Sequence, residues 1–169
     1  MRNASEISKD ELRNLLNQGW LTHDAMWFFH CLQEFGIEKT NELNRAAIQS
    51  MAAFEINRIK KVLGVEEIKD FEQLKAFVVE SFSLIRPKFM KFDISFPKEN
   101  EIHWKTNDCF AYKGMVRVGA EDKYECGIYE RVAGWLQGLG ISFAIKPDMK
   151  TCMMHHEGRC ERAFIIGEI

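Results

Sequence analysis

The sequence predicts an α+β fold: N-terminal helices followed by a ββααββ unit with a four-stranded antiparallel sheet. Three observations carry this. Through the first 85 residues, apolar side chains recur with helical spacing. Alternation then takes over, with Met90, Phe92, Ile94 and Phe96 separated by Lys91, Asp93 and Ser95. Finally, a helix pair separates this strand pair from a second one, an order that segregated helix-and-sheet folds show.

Ser8 caps an opening helix over residues 8–18, stopped by Gly19. Thr22 caps a second helix over 23–35, closed by Gly36. A third runs from about Thr40 to Leu63 and stops at Gly64. Its apolar residues, among them Ile48, Met51, Phe54, Ile59 and Val62, cover more than one stripe, which predicts packing on several sides or a dimer interface. The fourth begins at Asp70, shows one apolar face (Phe71, Leu74, Phe77, Val78, Phe82) and ends at Pro87. Pro97-Lys98-Glu99-Asn100 is a turn, and 101–105 is the partner strand of a hairpin. Asn107-Asp108 caps a short helix from Cys109 to about Val118. A stronger helix spans about 124–139, with Ile128, Val132, Trp135, Leu136 and Leu139 on one face and Gly140 at its end. Residues 141–146 and 161–169 read as the last two strands.

A chain of 169 residues without an interdomain linker fits one domain, with 1–85 its helical part and 86–169 the part carrying the sheet and a zinc site. The net charge is 23 − 25 = −2 with no basic block, so nucleic acid is not an expected partner. No stretch is long and apolar enough for a membrane span, and the first residues lack the apolar core of a signal peptide. These features predict a cytoplasmic protein with reduced thiols. Five cysteines then point to a metal or to free thiols rather than to disulfides.

Cys126, Cys152 and Cys160 form a C-x25-C-x7-C pattern, with His155 and His156 inside the second gap. Zinc in a structural site takes four ligands, commonly thiolates and imidazoles. Three cysteines leave the fourth place open to Cys109, His155 or His156. Cys126 falls in the first turn of a helix, where the dipole is expected to lower its pKa. With Cys109 as the fourth thiolate, an iron–sulfur cluster is the alternative to zinc. It ranks second because no compact C-x2-C run is present.

A second polar cluster lies at 22–31. On a helix, His23, Trp27, His30 and Glu34 share one face, and Asp24, Phe28, Cys31 and Phe35 form the adjacent stripe. His23, Trp27 and His30 are therefore candidate ligand-binding residues, with Trp27 as a pocket wall. The same His23, His30 and Glu34 face, or a reactive thiol at Cys109 or Cys126, supports the alternative of a hydrolytic or redox enzyme. The plainer reading makes Trp27, Phe28 and Phe29 core residues. Trp104 and Tyr112 are expected to line an apolar cavity, together with Phe110, Tyr129, Trp135 and Phe143.

The strand pair, helix pair and strand pair, with Cys126, Cys152 and Cys160 in this order and spacing, resemble the 4-vinyl reductase domain over roughly residues 40–169. That family comprises sensor domains of phenol-responsive activators and is related to the transport-particle subunit fold. The resemblance implies a small aromatic or lipid-like ligand, a structural zinc at the three cysteines, a ligand-orienting tryptophan near Trp104 and a homodimer through the long third helix. In the sensors a glutamate three residues before the second cysteine completes the zinc site, and Met149 stands there in this chain. The first helices also resemble a group of small cytosolic proteins from anaerobes, which implies no activity. A distant likeness to the 2-aminothiazoline-4-carboxylate hydrolase family completes the set.

Overall fold

In the computed structural model, which describes residues 1–169, a single 3-10 turn (Ala4–Glu6) leads into one long helix, α1 (Lys9–Leu63). The three expected N-terminal helices are merged in it. Gly19 and Thr22 resemble stop signals locally. A helical glycine, however, costs only about 1 kcal/mol, and Gly19 keeps a negative φ. The break comes at Gly36, whose φ of 74° and ψ of 173° lie outside the helical region. It divides α1 into a first arm (9–35) and a second arm (37–63). Thr40 secures the restart, its hydroxyl donating to the Gly36 carbonyl at 2.8 Å.

The start of α1 is closed by a reciprocal cap. The Ser8 hydroxyl accepts from the Glu11 amide at 3.2 Å, and the Glu11 carboxylate accepts from the Ser8 amide at 3.0 Å. Hydrogen bonds from Arg2, and then from Ser8, hold the Glu11 carboxyl at about 2, below its ordinary 4.5. A depressed carboxyl contributes stability that is fully present above its unfolded pKa and lost as pH falls through the folded one. The first turns of α1 are therefore expected to fray between about pH 4.5 and pH 2. Circular dichroism should show a small loss of helix in that window, and Glu11→Gln should remove it. A transition that persists in the variant sinks the assignment.

After α1 come α2 (Phe71–Ile85), β1 (Lys91–Ser95), β2 (Glu101–Asp108), α3 (Phe110–Val118), α4 (Gly127–Gly138), β3 (Phe143–Lys146), α5 (Met153–Glu157) and β4 (Cys160–Ile166). The four strands lie in the order β1-β2-β4-β3 with every pairing antiparallel, as the ββααββ reading requires. β2 runs three residues beyond the expected 105, because its later residues keep pairing with β1 and β4. The expected loop between Cys152 and Cys160 contains a helical turn, α5, ended by Gly158 at φ 67°. No helix is long and apolar enough to cross a membrane.

The core lies on one face of the sheet. Phe92, Ile102, Trp104 and Phe164 project from the strands against Leu74 of α2 and Tyr129 and Leu136 of α4. The second arm of α1 lies along α4. It buries only one face (Ala52, Ile56, Ile59) and leaves Phe54 and Val62 exposed, so the expected packing on several sides is not formed. The approach is close because α4 presents glycines: a Cβ on Gly134 would stand 2.7 Å from the Ala52 Cβ. Polar latches flank this seam. Arg45 pairs with Glu125 and Glu130, and Glu55 takes both Arg131 and the Trp135 indole N–H.

Candidate functional site

Four of the five cysteines gather at one end of the sheet, and the route of the chain explains why. Cys109 follows β2 directly and is the N-cap of α3, Cys126 is the N-cap of α4, and Cys152 is the N-cap of α5. Cys160 opens β4 opposite Thr106 of β2. The Cys126 amide donates to the Lys150 carbonyl at 3.0 Å, and Glu125 bridges to Thr151, so the approaches to α4 and α5 lie side by side. Asn41 fixes this junction from α1 by accepting from the Glu125 amide at 3.1 Å and donating to the Lys123 carbonyl at 2.8 Å.

Of the three thiols at helix starts, only Cys109 caps its helix. Tyr112 N–H donates to Cys109 Sγ at 3.4 Å, whereas the Cys126 and Cys152 thiols, at the starts of α4 and α5, accept no cap hydrogen bond. The Tyr129 hydroxyl stands 3.1 Å from Cys160 Sγ. Desolvation nevertheless outweighs the helix ends. Burial pushes the Cys109 and Cys152 thiols up, and the Cys126 thiol up to about 12, with the neighbouring thiols adding to the rise. The expected lowering at Cys126 is thus reversed. All four are free thiols, and as the side chains stand no group of three or more His, Cys, Asp or Glu is drawn close enough to hold a metal ion.

Beside the thiols lies Arg162, only 5% exposed. Its guanidinium rests over the Tyr129 ring at 4.2 Å and reaches the Thr151 carbonyl at 3.5 Å, while its Nε has no partner. No carboxylate pairs with it.

Next to this cluster is a cavity of about 240 Å³, bounded by both arms of α1, α3, α4 and the first two strands. Its apolar wall includes Phe28, Phe92, Trp104, Met115, Tyr124 and Ile128, and its polar groups include Asp24, Asn44 and Arg131. Trp104 is held in place: it stacks on Phe92 at 4.1 Å, and its indole N–H donates to the Thr106 hydroxyl at 2.9 Å. Burial raises the Asp24 carboxyl, partly offset by His23 and Arg131. Cys109 also lines the cavity, so thiols and cavity share a wall.

The structure brings together Trp104 and Cys109 at the cavity and adds Cys126, Cys152 and Cys160 beside it. It does not bring the His23, Trp27, His30 and Glu34 face to the cavity: all four are exposed on the outside of α1. The adjacent stripe faces inward instead, with Leu21, Asp24, Ala25 and Phe28 at the cavity. The physical reason is that this stripe carries the apolar residues at helical spacing, whereas the imidazoles stay hydrated. Tyr112 packs against the Phe28, Tyr124 and Cys152 cluster rather than lining the cavity. His155 and His156 are exposed on α5, edge to face at 5.0 Å. Met149, where the sensors carry a glutamate, is half-buried against the core. Asn44, Arg131 and Arg162 were missed by sequence reasoning. Arg162 was findable, because it occupies the inward register of β4 between Cys160 and Phe164.

Residues 5–130 match a family of unknown function, DUF6125. The matched span includes Cys109 and Cys126. No curated protein and no solved structure matches the chain.

Proposed function

The chain belongs to DUF6125, a family of unknown function, and from its own residues we propose that it binds a small aromatic molecule in the cavity beneath α1, beside a zinc ion held by the buried thiols. The observation that carries this reading is the cavity itself. It has apolar walls, a few convergent polar groups and a fixed indole face, the composition of a small-molecule site. An apolar cavity of about 150 Å³ is enough to bind benzene, so the 240 Å³ here has room for a small aromatic molecule.

Zinc at Cys126, Cys152 and Cys160 would tie α4, α5 and β4 together. The donor chemistry supports it, since three thiols largely shielded from water suit a closed structural site. Metal binding requires the Sγ atoms to turn inward about their single side-chain bonds. A reducing cytoplasm would keep the thiols available. Binding is preferred over acid–base chemistry because the His23, His30 and Glu34 face stands in water outside the cavity. The homodimer would use the outer face of the second arm, where Phe54 and Val62 are exposed.

Gly114 of α3 provides the test. It lines the cavity, and a Cβ added there meets nothing within 4 Å. Gly114→Leu should fill the cavity without strain and remove a helical glycine, a gain of up to about 1 kcal/mol. We expect calorimetry against indole, naphthol and related aromatics to show binding to the wild type. In Gly114→Leu that binding should be at least ~10-fold weaker, a difference of about 1.4 kcal/mol, with the melting temperature unchanged or raised. If no aromatic binds and native mass spectrometry finds no co-purified molecule, the ligand reading fails. It also fails if Gly114→Leu binds as tightly as the wild type. Elemental analysis of protein purified without oxygen separates zinc from iron and from no metal.

A further inference from the structure

Helices in proteins draw most of their stability from packing an amphipathic face rather than from local propensity. The first arm of α1 leaves that face open. From residue 9 to residue 27 not one residue is buried, and Leu12, Leu16 and Trp20 are 49%, 64% and 37% exposed. Near its start the arm is tethered to the end of α2. Arg13 donates to the Ser83 carbonyl at 3.0 Å, and the Asn14 side chain accepts from the Lys88 amide at 3.2 Å. Beside the arm runs an open groove of about 820 Å³. Leu12, Leu16 and Trp20 line one side, Met51 and Ile59 of the second arm the other, and Leu84 of α2 lies at its end. Leu12, Leu16 and Trp20 recur every four residues and so form one stripe. At 1.5 Å per residue that stripe is about 12 Å long. A concave site walled by apolar stripes suits an amphipathic helix, whose own anchors recur at i, i+4 and i+7.

We propose that this groove docks an amphipathic helix of a protein partner, one whose apolar stripe is flanked by carboxylates. The charge of the groove selects that partner. Four basic residues line it, Lys9, Arg13, Arg58 and Arg131, against one acid, Glu55. Glu55 is taken by Arg131, and Arg13 pairs with Asp10 at 2.6 Å. Lys9 and Arg58 are left without a carboxylate, so both free charges of the groove are positive. A second copy of the chain is a poorer occupant. An isologous contact places the same patch on both sides, which would gather two Lys9 and two Arg58 in one interface. The carboxylates nearest the arm's start cannot offset them, because Asp10 holds Arg13 and Glu11 holds Arg2. Trp20, Met51 and Arg131 border both the groove and the aromatic cavity, yet the docking site lies outside the cavity and does not depend on a ligand there.

Two labelled model peptides of about 18 residues, long enough to hold a helix, test this on the full chain. Both carry leucines at i, i+4 and i+7, and they differ only in whether glutamates or lysines flank the stripe. Fluorescence anisotropy should show the glutamate peptide binding at least ~10-fold more tightly than the lysine peptide at low salt, a preference that shrinks as salt is added. Lys9→Glu combined with Arg58→Glu should reverse the order, and Leu16→Glu should weaken the glutamate peptide at least ~10-fold. All three positions are exposed, so the fold is expected to survive, which circular dichroism checks. Hydrogen exchange should show residues 9–27 gaining protection when the glutamate peptide is bound. Equal affinity for the two peptides, no binding of either, or a preference unchanged by the charge reversal overturns the proposal. Self-association of the wild type that Leu16→Glu abolishes also overturns it, by making a second copy the occupant. Adsorption to phosphatidylglycerol vesicles that Leu16→Glu abolishes does the same in favour of a membrane surface.

Discussion

Phe164→Ala is expected to lower the free energy of unfolding by about 3–5 kcal/mol, the usual range for truncating a buried aromatic. Phe164 is fully buried, points inward from the middle of β4, and meets Tyr129 and Phe143 at ring-centroid distances of 6.2 and 6.0 Å. β4 bonds to both β2 and β3, so it has no edge along which the sheet can collapse into the space left behind. The cavity therefore persists and sets the size of the loss. Against a typical total of about 5–15 kcal/mol this is a large fraction. Urea unfolding measures the effect, and Phe54→Ala is the control. Phe54 is 67% exposed on the outer face of α1, and its truncation should change stability by no more than about 0.5 kcal/mol. Equal midpoints for the two variants would mean that the core does not lie on this face of the sheet.

How far the fold and the site can be read from the chain follows from the range of each signal. α2 and β1 each carry one clean period, and the structure places them where that period puts them. Gly19 and Thr22 are local stop signals that divide α1 into three on the sequence, while the continuity of the helix is set by tertiary packing that no local signal records. The same limitation governs the site. The spacing of Cys126, Cys152 and Cys160 marks the cluster, and Cys109 enters it only as one of several candidates. Its place depends on β2 running on to Asp108 and handing the chain directly to α3, whose N-cap Cys109 is. On the first arm of α1 the polar residues His23 and His30 draw attention, yet the inward face is the one carrying Phe28, 6% exposed. Arg162 is the opposite case. A charged residue at an inward position of an alternating strand stands out in the sequence itself, and its meaning emerges only with the thiols folded beside it.

Gly134→Ala separates two effects of opposite sign. Within an isolated helix the change should stabilise by about 1 kcal/mol. In this fold the new Cβ would lie 2.7 Å from the Ala52 Cβ and 3.4 Å from the Gln49 carbonyl. Carbon atoms pack best at about 3.5–4.0 Å, and neither Cβ can swing aside because each is bonded directly to its backbone. The second arm of α1 must then move off α4 by roughly 1 Å, and overpacking of this kind destabilises by about 1–3 kcal/mol. The net result for alanine is a loss of up to about 2 kcal/mol, and a larger one for Gly134→Leu. Ala52→Gly removes the atom that is struck, so the double variant should regain most of the loss, a coupling that neither single change can produce. The displaced arm also carries Asn44, Ile48 and Met51 of the cavity wall. Gly134→Ala should therefore weaken aromatic binding although residue 134 does not line the cavity, and Ala52→Gly should restore it. If Gly134→Ala instead stabilises the protein by its helical preference and shows no coupling to position 52, then α1 and α4 do not meet at this distance, and the cavity wall is not set by their contact.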